Sequence, residues 1–377
     1  MDLAQLATPA LVLDRRLLLA NSQRMADRLG RFGVPLRPHV KTVKSAAVLH
    51  AAFGRLPKAI TVSTLAEAEY FFAAGIADIL YAVGIAPAKL EAVANLMAAG
   101  ADIKIILDSM EAAHLTAERG RALGVRFKVV IEIDCDGHRA GLKPGDPTIV
   151  EVGRLLDGDA GTILAGVMTH AGASYDCRSE AALIAMAEQE RAAVVTAAAA
   201  LKAAGLVCPI VSMGSTPTAL FAQHLDGITE VRTGVYLFQD LVMAGIGVCR
   251  PEDIALSVLV TVIGHNKEKG WIVTDGGWMA LSRDRGTATQ PVDQGYGLVC
   301  DLAGRIIPGL RVDAANQEHG IIAATGGASF DRARFPIGAR LRVIPNHACA
   351  TGAQHKAYRV IDGGLDVIAT WERMGGW

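Results

Sequence analysis

Hydrophobic positions in the first two-thirds of the chain fall into short, mostly unbroken runs rich in Val, Ile and Leu, at residues 34–40, 60–63, 79–83, 103–107, 127–133, 163–168, 210–213 and 231–236. Between them lie alanine- and leucine-rich stretches of helical length, among them 46–53, 65–74, 89–99, 110–123 and 181–204. A strand-like run at 10–14 (ALVLD) and a helical spacing over 15–31 precede the repeat. Strands that are continuously apolar rather than alternating are buried on both faces. Eight of them, each followed by a helix, predict an α/β fold closed as a parallel (β/α)8 barrel. A doubly wound open sheet is the alternative. It calls for a glycine-rich turn after the first strand, and RPHVKT at 37–42 is not one.

Beyond Cys249 the rhythm changes. Residues 254–263, 271–275, 341–345 and 358–370 read as strands with glycine-bearing turns and almost no helix between them. The expected organisation is therefore a barrel domain over 10–249 and a β-rich domain over 250–377. The N-terminal strand, within 1–14, is assigned to the second domain because it precedes the first barrel helix and has no barrel neighbour to pair with.

Composition narrows the classes. A chain of 377 residues that is 51% hydrophobic can bury the cores of two domains. With 37 Lys and Arg against 38 Asp and Glu, a net charge of −1 and no basic patch, nucleic acid is excluded as an expected partner. The alanine-rich run 192–201 stops at Lys202, short of a membrane span, and the first residues lack the charge pattern of a signal peptide. Six cysteines, at 135, 177, 208, 249, 300 and 349, are scattered with no CxxC pair, which suits reduced thiols in the cytoplasm.

Candidate chemistry gathers at the expected C-terminal strand ends, where barrels carry their reactive groups. Pro35 and Pro38 exclude a helix, so 34–40 delivers Lys41 from a strand into a turn. A desolvated lysine there is an amine nucleophile toward a carbonyl; a solvated lysine is the plain alternative. Arg139 follows the fifth strand, His170 and Tyr175 the sixth, Gly214, Ser215 and Thr216 the seventh, and Arg232, Gly234 and Val235 lie at the eighth. The last two groups could cradle a phosphate through backbone N–H groups at a helix start, although Gly-Ser-Thr-Pro is also an ordinary helix cap. In the second domain His347 and Cys349 are two apart on what reads as a strand end. Their side chains would then share a face, and imidazole with thiolate is a zinc-type ligand pair.

The strings RPHVKTVKS, ITVSTLAEAE, IEIDCDGHRAG, THAGASY, VSMGSTPT, EVRTGVY, ANQEHG and PNHACATG run in order along nearly the whole chain. Together they resemble the D-serine dehydratase and D-threonine aldolase family, pyridoxal phosphate enzymes with the two-domain architecture of alanine racemase. The resemblance implies that Lys41 carries the cofactor, that Arg139 meets its phenolic oxygen, that His170 lies against its ring and that Arg232 approaches the ring nitrogen. An arginine stays protonated, so it cannot leave that nitrogen with a proton of its own. It further implies a divalent metal, Zn2+ or Mn2+, on His347 and Cys349. It also implies a homodimer with shared sites, in which Arg283, Glu318 and His319 reach the partner.

The expected activity is dehydration of a D-3-hydroxy amino acid to a 2-keto acid and ammonia. Aldolases of the family carry aspartate in place of Cys349, and the alternative they represent gives glycine and an aldehyde. A racemase, which needs a second acid/base and no metal, and a non-enzymatic cofactor carrier, which lacks a second domain, are more distant readings. Serine, threonine, 3-hydroxyaspartate and phenylserine all present the same reacting atoms.

Overall fold

The computed structural model describes residues 2–326 and 331–377. The chain divides into two compact units: Met25–Lys41, Arg55–Gly234 and Gly376–Trp377 in one, and Met1–Arg24, Thr42–Gly54 and Val235–Gly375 in the other. The long division thus falls at 234/235, upstream of the change of rhythm near Cys249. The short segment 42–54 goes with the β-rich unit.

The first unit is the expected parallel barrel. Its strands are β2 (Leu36–Pro38), β3 (Ala59–Val62), β4 (Asp78–Gly84), β5 (Asp102–Leu107), β6 (Phe127–Ile133), β7 (Thr162–Thr169), β8 (Ile210–Met213) and β9 (Glu230–Thr233), all after β1 (Ala10–Asp14) in the chain. They pair in the order β2-β9-β8-β7-β6-β5-β4-β3, and a parallel bridge between His39 and Thr61 joins the two end strands. Burial along β6 (FKVVIEI) is nearly complete on both faces, as its unbroken apolar run requires. Leu80, Ile106, Val130, Ala165 and Met168, from β4 to β7, form one buried cluster.

The connecting helices are α3 (Leu65–Ala73), α4 (Leu90–Ala98), α5 (Met110–Leu123), α6 (Thr148–Gly158), α7 (Glu180–Ala203) and α8 (Thr216–Phe221), after α1 (Arg15–Gly30) and α2 (Ala46–Phe53) in the chain. Their starts follow side-chain capping: Thr64, Ser109 and Ser179 each accept a backbone N–H three residues on. Gly124, in the left-handed region at φ 67°, ends α5.

The second unit is a nine-stranded sheet in the order β11-β14-β13-β12-β15-β10-β1-β16-β17. After β1 its strands are β10 (Leu256–Asn266), β11 (Trp271–Thr274), β12 (Leu298–Cys300), β13 (Ile306–Ala315), β14 (Gly320–Ala324), β15 (Arg340–Ile344), β16 (Ala357–Ile361) and β17 (Ala369–Glu372), with short helices α9 (Leu241–Gly245), α10 (Trp278–Leu281) and α11 (Ala348–Gly352). Strand β1 runs antiparallel to β10 and parallel to β16.

In the β-rich unit the structure corrects the expected strands in two places. The run 358–370 is two antiparallel strands, because Gly363, at φ 76°, turns the chain between them. Strands β12 to β14 lie where none was expected; β13 contains Pro308-Gly309 and mixes exposed with buried positions, which hides its period. Among the described residues no helix is long and apolar enough to cross a membrane.

Helix α5 and the start of β7 approach each other backbone to backbone. A Cβ on Gly120 would collide with the Gly161 carbonyl, and one on Gly161 with the Ala117 carbonyl. Gly120→Ala is expected to destabilise the protein by about 1–3 kcal/mol, as overpacking does. Thermal unfolding should report this, with ligand-binding properties unchanged.

Candidate active site

At the end of β2 the chain turns through Val40 and exposes Lys41. The Lys41 N–H donates to His39 Nδ1 at 3.4 Å, and His39 Nε2 lies 3.4 Å from Ser63 Oγ. Burial, reinforced by the charges of Lys41 and Arg232, holds His39 well below the ordinary imidazole range.

His170, directly after β7, points Nδ1 at the Gly214 carbonyl, 2.8 Å away. A carbonyl only accepts, so Nδ1 carries the hydrogen and Nε2 does not. Burial pushes His170 down to about 4 against the pull of that hydrogen bond, with Lys41, Arg232 and Arg139 adding to the depression. These cations act on one imidazole, so Lys41, Arg139, His170 and Arg232 lie around one mouth of the barrel.

Arg232 is buried, 3% exposed. Its guanidinium donates to Ser212 Oγ at 2.6 Å and to the Thr169 carbonyl at 2.5 Å. Burial lowers its proton affinity and Glu230, Glu190 and Glu132 offset this; it remains a cation. Arg139 is mostly exposed and reaches Glu132 at 3.4 Å. Tyr175 lies in a single 3-10 turn, Gly172–Asp176, and Val235 opens another, Val235–Leu237.

The expected phosphate cradle is tightly built. A Cβ on Gly214, which sits at φ 148°, would collide with the Arg232 carbonyl, so only glycine lets β8 end this close to β9. Ser215 caps α8 in a reciprocal box with Thr218, and Thr216 Oγ1 bonds Thr233 Oγ1. Behind this loop is a residue the sequence reading missed. Glu190 of α7, fully buried, accepts the N–H groups of Ala171 at 2.8 Å and Gly214 at 3.1 Å, and the Thr218 hydroxyl. It ties the His170 loop to the Gly214 loop. Its signal was available: Leu183, Ala187, Glu190, Val194, Ala197 and Leu201 follow helical spacing, and one carboxylate interrupts the apolar stripe.

In the β-rich unit, His347 and Cys349 do not extend a strand. Strand β15 ends at Ile344, Pro345 has no N–H to continue the ladder, and His347 is the N-cap of α11 with Cys349 in its first turn. His347 Nδ1 lies 2.7 Å from Asp284 Oδ2, which leaves Nε2 for a metal. Burial disfavours the imidazolium, but Asp284 and Cys349 prevail and His347 is pushed up to about 11. Thr42, next in the chain to Lys41, bonds Cys349 Sγ through its hydroxyl at 3.2 Å. Buried Asp240 accepts the Ala348 N–H at 3.0 Å and so fixes the start of α11.

Among the described residues no group of three or more His, Cys, Asp or Glu is arranged to hold a metal. The pair itself fits one: an oriented imidazole and a thiol two residues on, with positions left for other ligands. Asp284 was missed as the orienting group, although the polar string GGWMALSRD ends on it.

That string packs on NQEHG. The N–H groups of Trp278 and Met279 bond the carbonyls of Asn316 and Gln317. Arg283, Glu318 and His319 are exposed, and Arg283 stacks on Trp278 at 4.7 Å.

Comparison with known proteins matches residues 13–241 to the alanine racemase N-terminal domain and residues 255–361 to a putative serine dehydratase domain. The D-threo-3-hydroxyaspartate dehydratase of Delftia sp. (strain HT23) is 57% identical over 380 residues, covering 100% of this chain and 99% of that protein. The solved structure of a cysteine-to-alanine variant of a D-threo-3-hydroxyaspartate dehydratase, in a metal-free form, superposes with a TM-score of 0.97 at 55% identity, covering 100% of both chains. The D-threonine aldolase of Filomicrobium marinum superposes with a TM-score of 0.84 at 28% identity, covering 99% of this chain and 96% of that one.

The His170 geometry has a measurable consequence. With its value lowered to about 4, the ring is neutral in the folded protein where an unfolded histidine is protonated. Its contribution to stability is therefore present above the unfolded value of about 6.5 and is lost as pH falls from there toward about 4. The NMR signals of the His170 ring should remain those of the neutral Nδ1–H form from pH 8 down to about 5. Titration near the unperturbed value would contradict the assignment.

Proposed function

Because this chain belongs to the family that joins an alanine racemase N-terminal domain to a serine dehydratase domain, we propose that it is a pyridoxal phosphate- and divalent-metal-dependent dehydratase. Its proposed substrates are D-3-hydroxy amino acids, D-threo-3-hydroxyaspartate and D-serine among them. The carrying observation is the His347–Cys349 pair, oriented by Asp284, in a chain similar over its full length to a D-threo-3-hydroxyaspartate dehydratase.

Lys41 carries the cofactor. Arg139 would meet its phenolic oxygen, His170 its ring and Arg232 its ring nitrogen, with Tyr175 also against the cofactor and Gly214, Ser215, Thr216, Gly234 and Val235 cradling its phosphate. His347 and Cys349 hold the metal, and thiolate favours a zinc-like ion, with manganese the other candidate. When bound, pyridoxal phosphate supplies carbanion stabilisation and the metal supplies Lewis acidity for the leaving hydroxyl.

The chain's own part is positional and protolytic. Lys41 Nζ, free once the substrate amine has taken its place, takes the α-proton as general base. Neutral His170 offers an uncharged face, so that Arg232 is the cation at the ring. Loss of the α-proton and of the β-hydroxyl as water leaves an enamine, whose hydrolysis gives the 2-keto acid and ammonia. A homodimer is part of the proposal, with segments 276–284 and 316–320, carrying Arg283, Glu318 and His319, serving the partner's site. Six free cysteines suit a cytoplasmic setting.

The second reading is an aldolase, favoured by the likeness to D-threonine aldolase. There the β-hydroxyl loses its proton and stays on carbon while Cα–Cβ breaks. Product identification separates the two. D-threo-3-hydroxyaspartate should give oxaloacetate and ammonia, and D-serine pyruvate and ammonia; glycine with an aldehyde as main products would establish the aldolase. Chelation by EDTA should end ammonia release while the visible absorbance of the bound cofactor persists, and re-addition of Zn2+ or Mn2+ in turn should identify the metal. Full turnover in metal-free protein would contradict the proposal.

A further inference from the structure

Arg232 is a buried cation whose two described hydrogen bonds go to neutral oxygens, and on the adjacent strand its register partner is another buried cation, Arg37. Two guanidiniums side by side in a barrel interior repel each other unless a counter-charge joins them. Glu230 is that charge. Its Oε2 accepts Arg37 Nε at 2.8 Å. Its Oε1 accepts the Ser212 hydroxyl at 2.7 Å, and Ser212 Oγ in turn accepts Arg232 Nη1 at 2.6 Å.

The direction of these bonds is forced. A carboxylate only accepts and a guanidinium only donates, so the single Ser212 proton must point to Glu230 and its lone pairs to Arg232. The chain continues toward the strand starts. Arg37 donates to Asp78 at 2.8 Å, Lys104 bridges Asp78 at 2.6 Å and Asp102 at 2.7 Å, and Lys128 reaches Asp102 at 2.7 Å. Asp102 and Lys128 are each 42% exposed, whereas Ser212 is fully buried. The row has one more cation than carboxylates, and its buried end is Arg232.

We propose that Glu230, acting through the Ser212 hydroxyl, is the positioning residue that fixes the Arg232 guanidinium toward the cofactor's ring nitrogen, and that Arg37 and the row from Asp78 to Lys128 fix Glu230 in turn. This deepens the reading of Arg232 given under Proposed function and rests on it. Ser212→Ala leaves an N–H of a buried cation without its acceptor, and Glu230→Gln removes the charge that Arg232 and Arg37 share. A hydrogen bond to a charged group lost in this way weakens a dependent equilibrium by about tenfold.

The test is equilibrium binding of pyridoxal phosphate to the full-length apoprotein, with the absorbance band of the bound cofactor and the melting temperature measured on the same samples. Ser212→Ala and Glu230→Gln should each raise the Kd by about tenfold and shift the band. The double variant should match the single ones, since both act through one path. Ser212→Thr, which keeps the hydroxyl, should restore both readouts. Gly120→Ala supplies the control, a variant destabilised at a place remote from this row. If Ser212→Ala and Glu230→Gln lower the melting temperature as Gly120→Ala does but leave Kd and band as in the wild type, their role is structural and the inference is overturned. If the wild-type chain binds no pyridoxal phosphate, the functional reading fails, and the inference with it.

Discussion

Two backbone hydrogen bonds, from His39 N–H to the Thr233 carbonyl and from Val40 N–H to the Thr61 carbonyl, each 2.9 Å, join β2 to its neighbours on either side and close the eight-stranded ring. The next residue is Lys41. Successive residues pair in opposite directions, so the backbone leading to the lysine has no freedom to shift register without opening the barrel. Pro38 suits this position, since β2 is only three residues long and His39 and Val40 supply the amides that bond onward. The residue proposed to do the chemistry thus follows the shortest strand of the barrel, at the seam where the ring closes. The side chains at that seam inherit their order from it: His39 takes the Lys41 amide, and Arg37 and Arg232 come into register across β2 and β9.

The electrostatics of the mouth follow from burial more than from pairing. His39 and His170 are both held neutral by desolvation, while Arg232 cannot surrender its proton and is compensated at one remove. Glu190 extends the same logic to the loops. One buried carboxyl accepts two amides and a hydroxyl, so its cost of burial is offset by satisfying donors that would otherwise be stranded beneath the Gly214 turn. In the β-rich unit the same arrangement recurs at His347, whose Nδ1 is held by Asp284 while Asp240 holds the backbone after it.

How much of this is legible in the sequence depends on whether the determinant is local. Barrel strands such as 127–133 announce themselves because burial on both faces demands an unbroken apolar run, and α5 because Ser109 and Gly124 mark its ends. Lys41, His170, Gly214, Arg232, His347 and Cys349 are candidates that strand counting and motif resemblance single out. The geometry of the last two was misjudged because Pro345 ends the ladder and a helix cap replaces the period-two face. Strands β12 to β14 were invisible since their burial alternates irregularly and their pairing is tertiary. Asp284, Ser212 and Glu230 act through partners between 18 and 193 positions away in the chain, and no local pattern carries that information.

The central claim is that the residue emerging from the closed seam, and no other lysine, bears the cofactor. Lys44 is the nearest competitor, at φ 44° with its carbonyl accepting the Met374 N–H in the β-rich unit. Borohydride reduction of the pyridoxal phosphate-loaded protein, followed by peptide mapping, decides between them. The account requires the reduced label on Lys41; a label on Lys44 or on any other lysine would contradict it.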